Sequence, residues 1–226
     1  MKGPWSLMLA TVLLSAVAAQ AGWVTIPGSG SVSVKVSSLK ERQFRTTVRQ
    51  RYDYSCGAAA LATLLTYHYR DPVSEDRIFQ EMWENGDQEK IRREGFSLLD
   101  IKQYLEAHEY SADGYEAPLD KLAEVGIPAI VLINENGYNH FVVVKGIRNG
   151  QVAVGDPSAG AKIFPREKFE KMRLNRILFV INGARDKAVF DSRQDWHIRE
   201  KAPLGIAAGP VDLANMSLLR RSPGDL

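Results

Sequence analysis

The pattern of apolar residues changes once along this chain, and that change limits the folds open to it. From Cys56 to Tyr69, strong helix formers and repeating apolar positions predict a buried helix. Asp71-Pro72 ends this helix because proline cannot continue the hydrogen-bond ladder. Beyond Gly126 the apolar residues follow the pattern of short strands instead. Helices followed by a sheet predict an α+β domain.

Two further helices are predicted in the first half of the chain. One begins after Ser74, because the acidic residues that follow suit the partial positive charge of a first helical turn. The other begins at Ser97, where Asp100 can complete a capping box and Phe96 is placed for a hydrophobic staple. This second helix is expected to run to about His108.

The second half of the chain predicts consecutive antiparallel strands joined by turns that contain asparagine and glycine. The predicted strands cover residues 127–133, 138–147, 151–155 and 177–181, and a short helix covers 166–172. Because consecutive strands of this kind lie side by side, residues near their ends can meet without long-range coincidence.

The first 21 residues have the features of a secretory signal peptide. Lys2 precedes an uncharged apolar run over residues 7–19, and Ala19-Gln20-Ala21 supplies the small residues that signal peptidase reads. An uncleaved membrane anchor is the alternative, but a spanning helix needs about 20 apolar residues, and this run is shorter. We therefore expect a periplasmic or secreted protein with no membrane span after removal of the signal.

The charge balance argues against nucleic acid as a partner. Lys and Arg number 29 and Asp and Glu 27, so the formal net charge is +2. The basic residues are interspersed with acidic ones rather than gathered into a patch, as a nucleic-acid-binding protein would need. The expected partner is a peptide or protein substrate.

Cys56 is the single cysteine of the chain, so no intramolecular disulfide can form. The fold must therefore rest on its hydrophobic core. A free thiol in an oxidising compartment is open to oxidation. Its presence there indicates either a buried structural residue or a functional one.

Four residues in the sequence suit nucleophilic catalysis. Cys56 begins the buried helix, where unpaired N–H groups and the helix dipole favour a thiolate. His140 opens a strand and suits a general base, and Asp156 closes the next strand, where its carboxylate can orient the imidazole. The side chain of Gln50 can donate to an oxyanion together with the backbone N–H of Cys56.

Each of these residues also has an ordinary structural explanation when taken alone. Cys56 can be a small buried residue, and His140 a packed structural histidine. Asp156-Pro157 is also a common turn signal, and Gln50 can simply lie on the surface. Their order along the chain, on one helix start and two neighbouring strand ends, favours the catalytic interpretation over these alternatives.

The chain resembles the bacteriocin-processing, or double-glycine, cysteine peptidases of the papain-like superfamily over roughly residues 48–181. The motifs that carry the resemblance are Gln50-Arg-Tyr-Asp-Tyr-Ser-Cys56-Gly57, Gly95-Phe-Ser97-Leu-Leu, His140-Phe-Val-Val-Val-Lys-Gly146, and Gly155-Asp156-Pro157 followed by Gly160. The resemblance implies a papain-like α+β fold, with a helical half packed on an antiparallel sheet. It also implies a catalytic triad of Cys56, His140 and Asp156, with Gln50 in the oxyanion hole and no cofactor or metal.

With this resemblance, four segments are expected. They are a signal peptide at 1–21, an N-terminal arm or strand at 22–47, a papain-like peptidase domain at 48–182, and a partly ordered C-terminal extension at 183–226. The alternation of Val32, Val34 and Val36 predicts the strand in the second segment.

The chain also departs from many relatives, in which the peptidase is part of an ATP-driven exporter. It has no GxxxxGK phosphate-binding motif, and Ser55 stands where many relatives have aspartate before the nucleophile. It is similar to stand-alone exported members, including components of functional-amyloid export systems. An amyloid or another exported polypeptide is therefore the expected substrate, and retention of double-glycine specificity is left open.

Three other functions use some of the same residues. A metal site could use Cys56, His140 and the remaining histidines, which are His68, His108 and His197, but their spacing matches no metal motif. A non-catalytic peptide-binding module of an export system could use the same groove. A cysteine-dependent acyl transferase could use the same chemistry with a different acceptor.

Overall fold

The computed structural model describes residues 22–26, 30–34 and 39–197 of the chain. The predicted signal peptide, and the C-terminal extension beyond residue 197, lie outside the described residues. The chain divides into two units, Met1–Ser38 and Leu39–Leu226. The first contains an antiparallel hairpin of β1 (Gly22–Ile26) and β2 (Gly30–Val34). The predicted alternating strand therefore forms at Val32 and Val34, while Val36 lies outside the described residues.

The second unit begins with helices. Its helices are α1 (Leu39–Gln43), α2 (Cys56–Thr63), α3 (Glu75–Asn85), α4 (Gln88–Glu94), α5 (Leu98–Ala107), α6 (Asp120–Val125), α7 (Arg166–Met172) and α8 (Arg193–Trp196). A π-helical segment, Leu64–His68, continues α2. None of the helices in the described part of the chain is both long and apolar enough to cross a bilayer.

Six antiparallel strands form the sheet of this unit. They are β3 (Ser111–Glu116), β4 (Ala129–Glu135), β5 (Tyr138–Arg148), β6 (Gln151–Asp156), β7 (Gly160–Pro165) and β8 (Ile177–Asn182). Their order across the sheet is β3-β8-β4-β5-β6-β7, and all neighbours are antiparallel. The α+β prediction and the four predicted strands are confirmed.

The predicted helices also form, with local details that explain their positions. Ser74 caps α3 through a hydrogen bond from the backbone of Arg77, and Ser97 and Asp100 form the complete capping box of α5. Strands β3 and β7 and helices α1, α4, α6 and α8 were not predicted. In β3 only Ala112 is buried, because this strand lies at the sheet edge, so it lacks an alternating apolar signal.

The core lies on both faces of the sheet. On one face, Phe141 and Val143 pack with α2, of which every residue is buried. On the other face, Val142 and Val144 pack in a cluster that includes Phe169. Burying each large apolar side chain contributes about 1.5–3 kcal/mol. This two-sided packing holds α2 and the start of β5 rigidly against each other.

Candidate active site

Cys56 is the first residue of α2 and is 7% exposed. The preceding Ser55 does not cap the helix, because its hydroxyl instead accepts from the N–H of Tyr52 at 3.2 Å and donates to the Tyr52 carbonyl oxygen at 3.0 Å. The N–H groups at the helix start therefore remain available to the sulfur. The backbone N–H groups of Phe141, on β5, and of Gly57 face the sulfur and lower the pKa of the thiol. This places the sulfur between the helix start and the strand that carries His140.

The protonation of the thiol differs from the expectation drawn from its helix position. Burial raises the pKa of the Cys56 thiol, and the N–H donors of Phe141 and Gly57 offset only part of that rise. The expected effect of the helix start is present, but burial outweighs it. A base must therefore remove the proton when the sulfur reacts.

His140 is the third residue of β5 and is 2% exposed. The sequence predicted that it opens the strand, whereas in the structure it lies inside the strand and pairs with Ile133. Its ring is stacked on that of Tyr138, with the centroids 5.0 Å apart. Both ring nitrogens are buried without a hydrogen-bond partner among the described residues. Nε2 lies toward Asp156, so Nδ1 is the nitrogen left to exchange a proton with a nucleophile.

Asp156 is the last residue of β6 and lies on the same face of the sheet as His140. Its Oδ2 atom is 3.4 Å from His140 Nε2, which is long for a hydrogen bond, so the pair is in contact but loosely joined. Its Oδ1 atom accepts from the backbone N–H and the hydroxyl of Ser158, at 2.8 and 2.7 Å, and from the N–H of Ala159 at 3.2 Å. The turn after β6 thus locks one carboxylate oxygen and leaves the other toward His140.

The charge state of Asp156 follows from these contacts. Burial raises the pKa of this carboxyl, but the adjacent His140 ring and the hydrogen bonds from Ser158 and Lys162 together hold the pKa well below its usual range. Asp156 is therefore ionised at neutral pH, as a group that stabilises an imidazolium must be.

Gln50 lies between the turn after β6 and the loop before Cys56. Its backbone N–H donates to the carbonyl oxygen of Pro157 at 3.0 Å, and its side-chain Nε2 donates to Tyr52 at 3.0 Å. Its Oε1 atom is buried without a partner among the described residues. Because Nε2 carries two hydrogens, one remains available after the bond to Tyr52. The structure thus brings all four predicted residues to one region.

Sequence reasoning missed three residues of this region, which are Tyr138, Lys162 and Glu135. Tyr138 stacks on the ring of His140 and donates to the carbonyl oxygen of Asp53 at 2.8 Å, which ties the sheet to the loop before Cys56. Its position two residues before His140 on a strand was the available signal, because such residues share a face. Lys162 and Glu135 gave no local signal.

Glu135, His140 and Asp156 also form a group whose ligand atoms lie within 4.8 Å of one another, close enough to hold a metal ion. The ammonium of Lys162 already bonds both carboxylates, at 2.8 Å to Glu135 and 2.9 Å to Asp156. The arrangement is therefore an ion-pair network with its own cation. Of the other histidines, His68 is buried with Nδ1 2.7 Å from the Val189 carbonyl oxygen, and none of them joins this group in the described ranges.

Comparison with known proteins gives the chain its family. The model of the Peptidase C39 family matches residues 45–184. A probable functional amyloid protease, FapD, of Pseudomonas aeruginosa is 42% identical over 176 residues, which is 78% of this chain and 77% of that protein. The protein of the same name from Pseudomonas fluorescens is 41% identical over 178 residues, 77% of this chain and 78% of that protein.

Solved structures agree with this result. The peptidase domain of Streptococcus ComA, a bi-functional ABC transporter involved in quorum sensing, has a TM-score of 0.51 at 20% identity, covers 60% of this chain and 96% of that one, and shows the shared fold. A double glycine motif protease from an AMS/PCAT transporter, in complex with its leader peptide, has a TM-score of 0.50 at 27% identity and covers 60% of this chain and 89% of that one. On the family match and the two curated relatives together, this chain belongs to the Peptidase C39 family and is a cysteine peptidase.

Proposed function

We propose that the chain cleaves an exported polypeptide with Cys56 as nucleophile, His140 as general base and Asp156 as the group that orients His140. One observation carries the proposal. The N–H of Phe141 faces the Cys56 sulfur and lowers the pKa of the thiol, while the adjacent His140 has its Nε2 3.4 Å from Asp156 and its Nδ1 buried on the other side of the ring without a partner. The thiol and the free ring nitrogen therefore belong to one small region, as general-base activation of a nucleophile requires.

The first step forms an acyl-enzyme. Because the Cys56 thiol is protonated at rest, His140 Nδ1 takes its proton as the sulfur attacks the scissile carbonyl carbon. The resulting imidazolium is stabilised by the ionised Asp156 and then donates its proton to the leaving amine as the carbon–nitrogen bond breaks. The amine product leaves, and the other half of the substrate stays on sulfur as a thioester.

The negative charge that develops on the oxygen of the scissile carbonyl must be stabilised by hydrogen-bond donors. We assign this role to the backbone N–H of Cys56 and to the free hydrogen on Gln50 Nε2. The bond from Gln50 N–H to Pro157 supports this role, because it ties the position of Gln50 to the turn that also holds Asp156. Hydrolysis follows when His140 removes a proton from water and that water attacks the thioester, which restores the free thiol.

The relatives support a choice of substrate and compartment. Two of them are named as probable functional amyloid proteases, and a neighbouring structure is a protease in complex with a leader peptide. The first 21 residues have the pattern of a secretory signal. We therefore propose an amyloid-forming exported polypeptide as substrate and the periplasm as the place of cleavage.

A comparison of exported proteins tests this function. Cells carrying the native chain should release a processed polypeptide that stays unprocessed in cells carrying Cys56→Ala or His140→Asn. His108→Asn is the matched control, because His108 also stacks on a tyrosine, Tyr104, yet it contacts Glu81 rather than Asp156. That variant should process normally.

The products then separate hydrolysis from the two alternative functions. Mass spectrometry of the processed polypeptide should find a free carboxyl terminus at the cut. A new amide at that position would identify an acyl transferase instead. Identical, uncleaved polypeptides from native and Cys56→Ala cells would overturn the proposal in favour of a binding module.

A further inference from the structure

One side chain from each of four adjacent strands meets at one end of the sheet. The four are Glu135 on β4, His140 on β5, Asp156 on β6 and Lys162 on β7. The strand registers pair His140 with Ile133 and Lys162 with Val154, so strand alternation puts all four side chains on one face. We name this group the four-strand charge line.

Lys162 is the link that joins the two carboxylates of this line. Its Nζ atom is 2.9 Å from Asp156 Oδ2 and 2.8 Å from Glu135 Oε2. The Asp156 side chain is 1% exposed, while those of Lys162 and Glu135 are each 26% exposed. Because one member is fully buried, the network differs from a surface ion pair, which would contribute little.

The contact with Lys162 completes the hydrogen bonding of Asp156. Ser158 and Ala159 occupy Oδ1, so Oδ2 alone serves His140, and Lys162 bonds that same oxygen. A carboxylate held at both oxygens has little freedom to rotate. The ammonium therefore determines where Oδ2 sits relative to the imidazole.

From these contacts we infer that Lys162, itself held by Glu135, is a positioning residue for His140, acting through Asp156. This inference rests on the proposed roles of His140 and Asp156 and adds a function for two residues outside the triad. Lys162 fixes the ionised carboxylate, and Glu135 balances the lysine charge so that an imidazolium can still form beside it.

The charge balance predicts the direction in which a change at Lys162 or Glu135 shifts the ionisation of the Cys56 thiol. The titratable groups around His140 are Cys56 on α2, Tyr138 on β5, and the other three members of the four-strand charge line. The charge of Asp156 raises the pKa of the Cys56 thiol. Removing the ammonium leaves the two carboxylates without their counter-charge, which disfavours the thiolate further. Removing the Glu135 charge leaves an unbalanced ammonium, which favours the thiolate.

Alkylation of Cys56 by iodoacetamide across pH tests this prediction without a substrate. In Lys162→Met, the midpoint of the rate profile should move to higher pH by about one unit. In Glu135→Gln it should move to lower pH, and in the double variant it should return close to the native midpoint. Lys162→Arg should keep the native profile. Lys121→Met removes an exposed ammonium paired with Glu124 and is the matched control, with no expected shift.

Peptide cleavage supplies a second measurement. Lys162→Met should lower kcat about tenfold with KM nearly unchanged, because the loss lies in orientation of the base rather than in substrate binding. The inference would be refuted if the alkylation midpoint moved in the same direction in Lys162→Met and Glu135→Gln, or in neither. The proposed function would still hold in that case, provided that the native chain cleaves the peptide and Cys56→Ala does not. Cleavage by Cys56→Ala would instead refute the proposed function itself.

Discussion

Replacing Asp195 with asparagine should destabilise the folded chain by about 3 kcal/mol, because it leaves a buried ammonium without its counter-charge. Lys145 and Asp195 have side chains that are 1% and 3% exposed, and their Nζ and Oδ1 atoms are 2.7 Å apart. Breaking such a pair from one side costs roughly 3–5 kcal/mol. The lower end is expected, because Lys145 keeps its bonds to Thr46 at 2.6 and 2.7 Å.

Urea and thermal unfolding of the mature chain measure this cost. For a chain of this size, about 3 kcal/mol corresponds to a fall in Tm of roughly 6–12 °C. Asp186→Asn is the matched control, because Asp186 is an exposed aspartate in the same C-terminal segment. It should change the free energy of unfolding by less than about 0.5 kcal/mol.

A double variant separates the charge effect from lost packing. Lys145→Met with Asp195→Leu removes both charges and retains apolar volume, so it should be less destabilised than Asp195→Asn alone. If Asp195→Asn unfolds within about 1 kcal/mol of the native chain, the reasoning is refuted. A double variant that loses the full sum of the two single changes would refute it as well.

Three further changes have defined outcomes in urea unfolding. Gly160→Ala should lower the free energy of unfolding by more than about 1–2 kcal/mol, because Gly160 has φ +85° and an added Cβ would lie 2.6 Å from Cβ of Gln43. An unchanged free energy of unfolding would contradict this turn geometry. Ser97→Ala should lower the free energy of unfolding by about 1 kcal/mol through loss of the capping box with Asp100. If Ser97→Ala has the same effect when Asp100 is already alanine, the loss does not come from the capping box. The pKa of Asp156 is lower in the folded chain than in the unfolded chain. The stability that ionised Asp156 contributes is therefore complete above its unfolded pKa and is lost as the pH falls through its folded pKa. The stability gap between native chain and Asp156→Asn should thus narrow from about pH 5 to pH 2, and a constant gap would contradict it.

Much of the fold could be predicted because its signals are local. The capping box of Ser97 and Asp100 spans four residues, and a run of buried helix formers follows Cys56. The hairpin turns after β4 and β5 set the pairing of three consecutive strands, so His140 and Asp156 were expected on neighbouring strands. Strand β3 escaped prediction because, at the edge of the sheet with only Ala112 buried, it carries no alternating apolar signal.

The candidate site, too, could be predicted in part from the sequence. The motif residues Gln50, Cys56, His140 and Asp156 could be selected from the sequence, because residue type and position on an element are both visible there. The raised pKa of the Cys56 thiol could not be predicted from the sequence. The helix start lowers this pKa and burial raises it, and the extent of burial depends on the packing of the whole domain. The size of each effect is decided only when the sheet and the helices are in contact.

The sequence by itself determined the main helices and the four central strands and placed the candidate site residues near their ends, since helix caps, turns and apolar periodicity act over a few neighbouring residues. Only the tertiary structure decided which charges meet, as for Lys162 with Glu135 and for Lys145 with Asp195. The physical reason is that electrostatic partners are selected by distance in space and by shared burial, and neither quantity is encoded by separation along the chain.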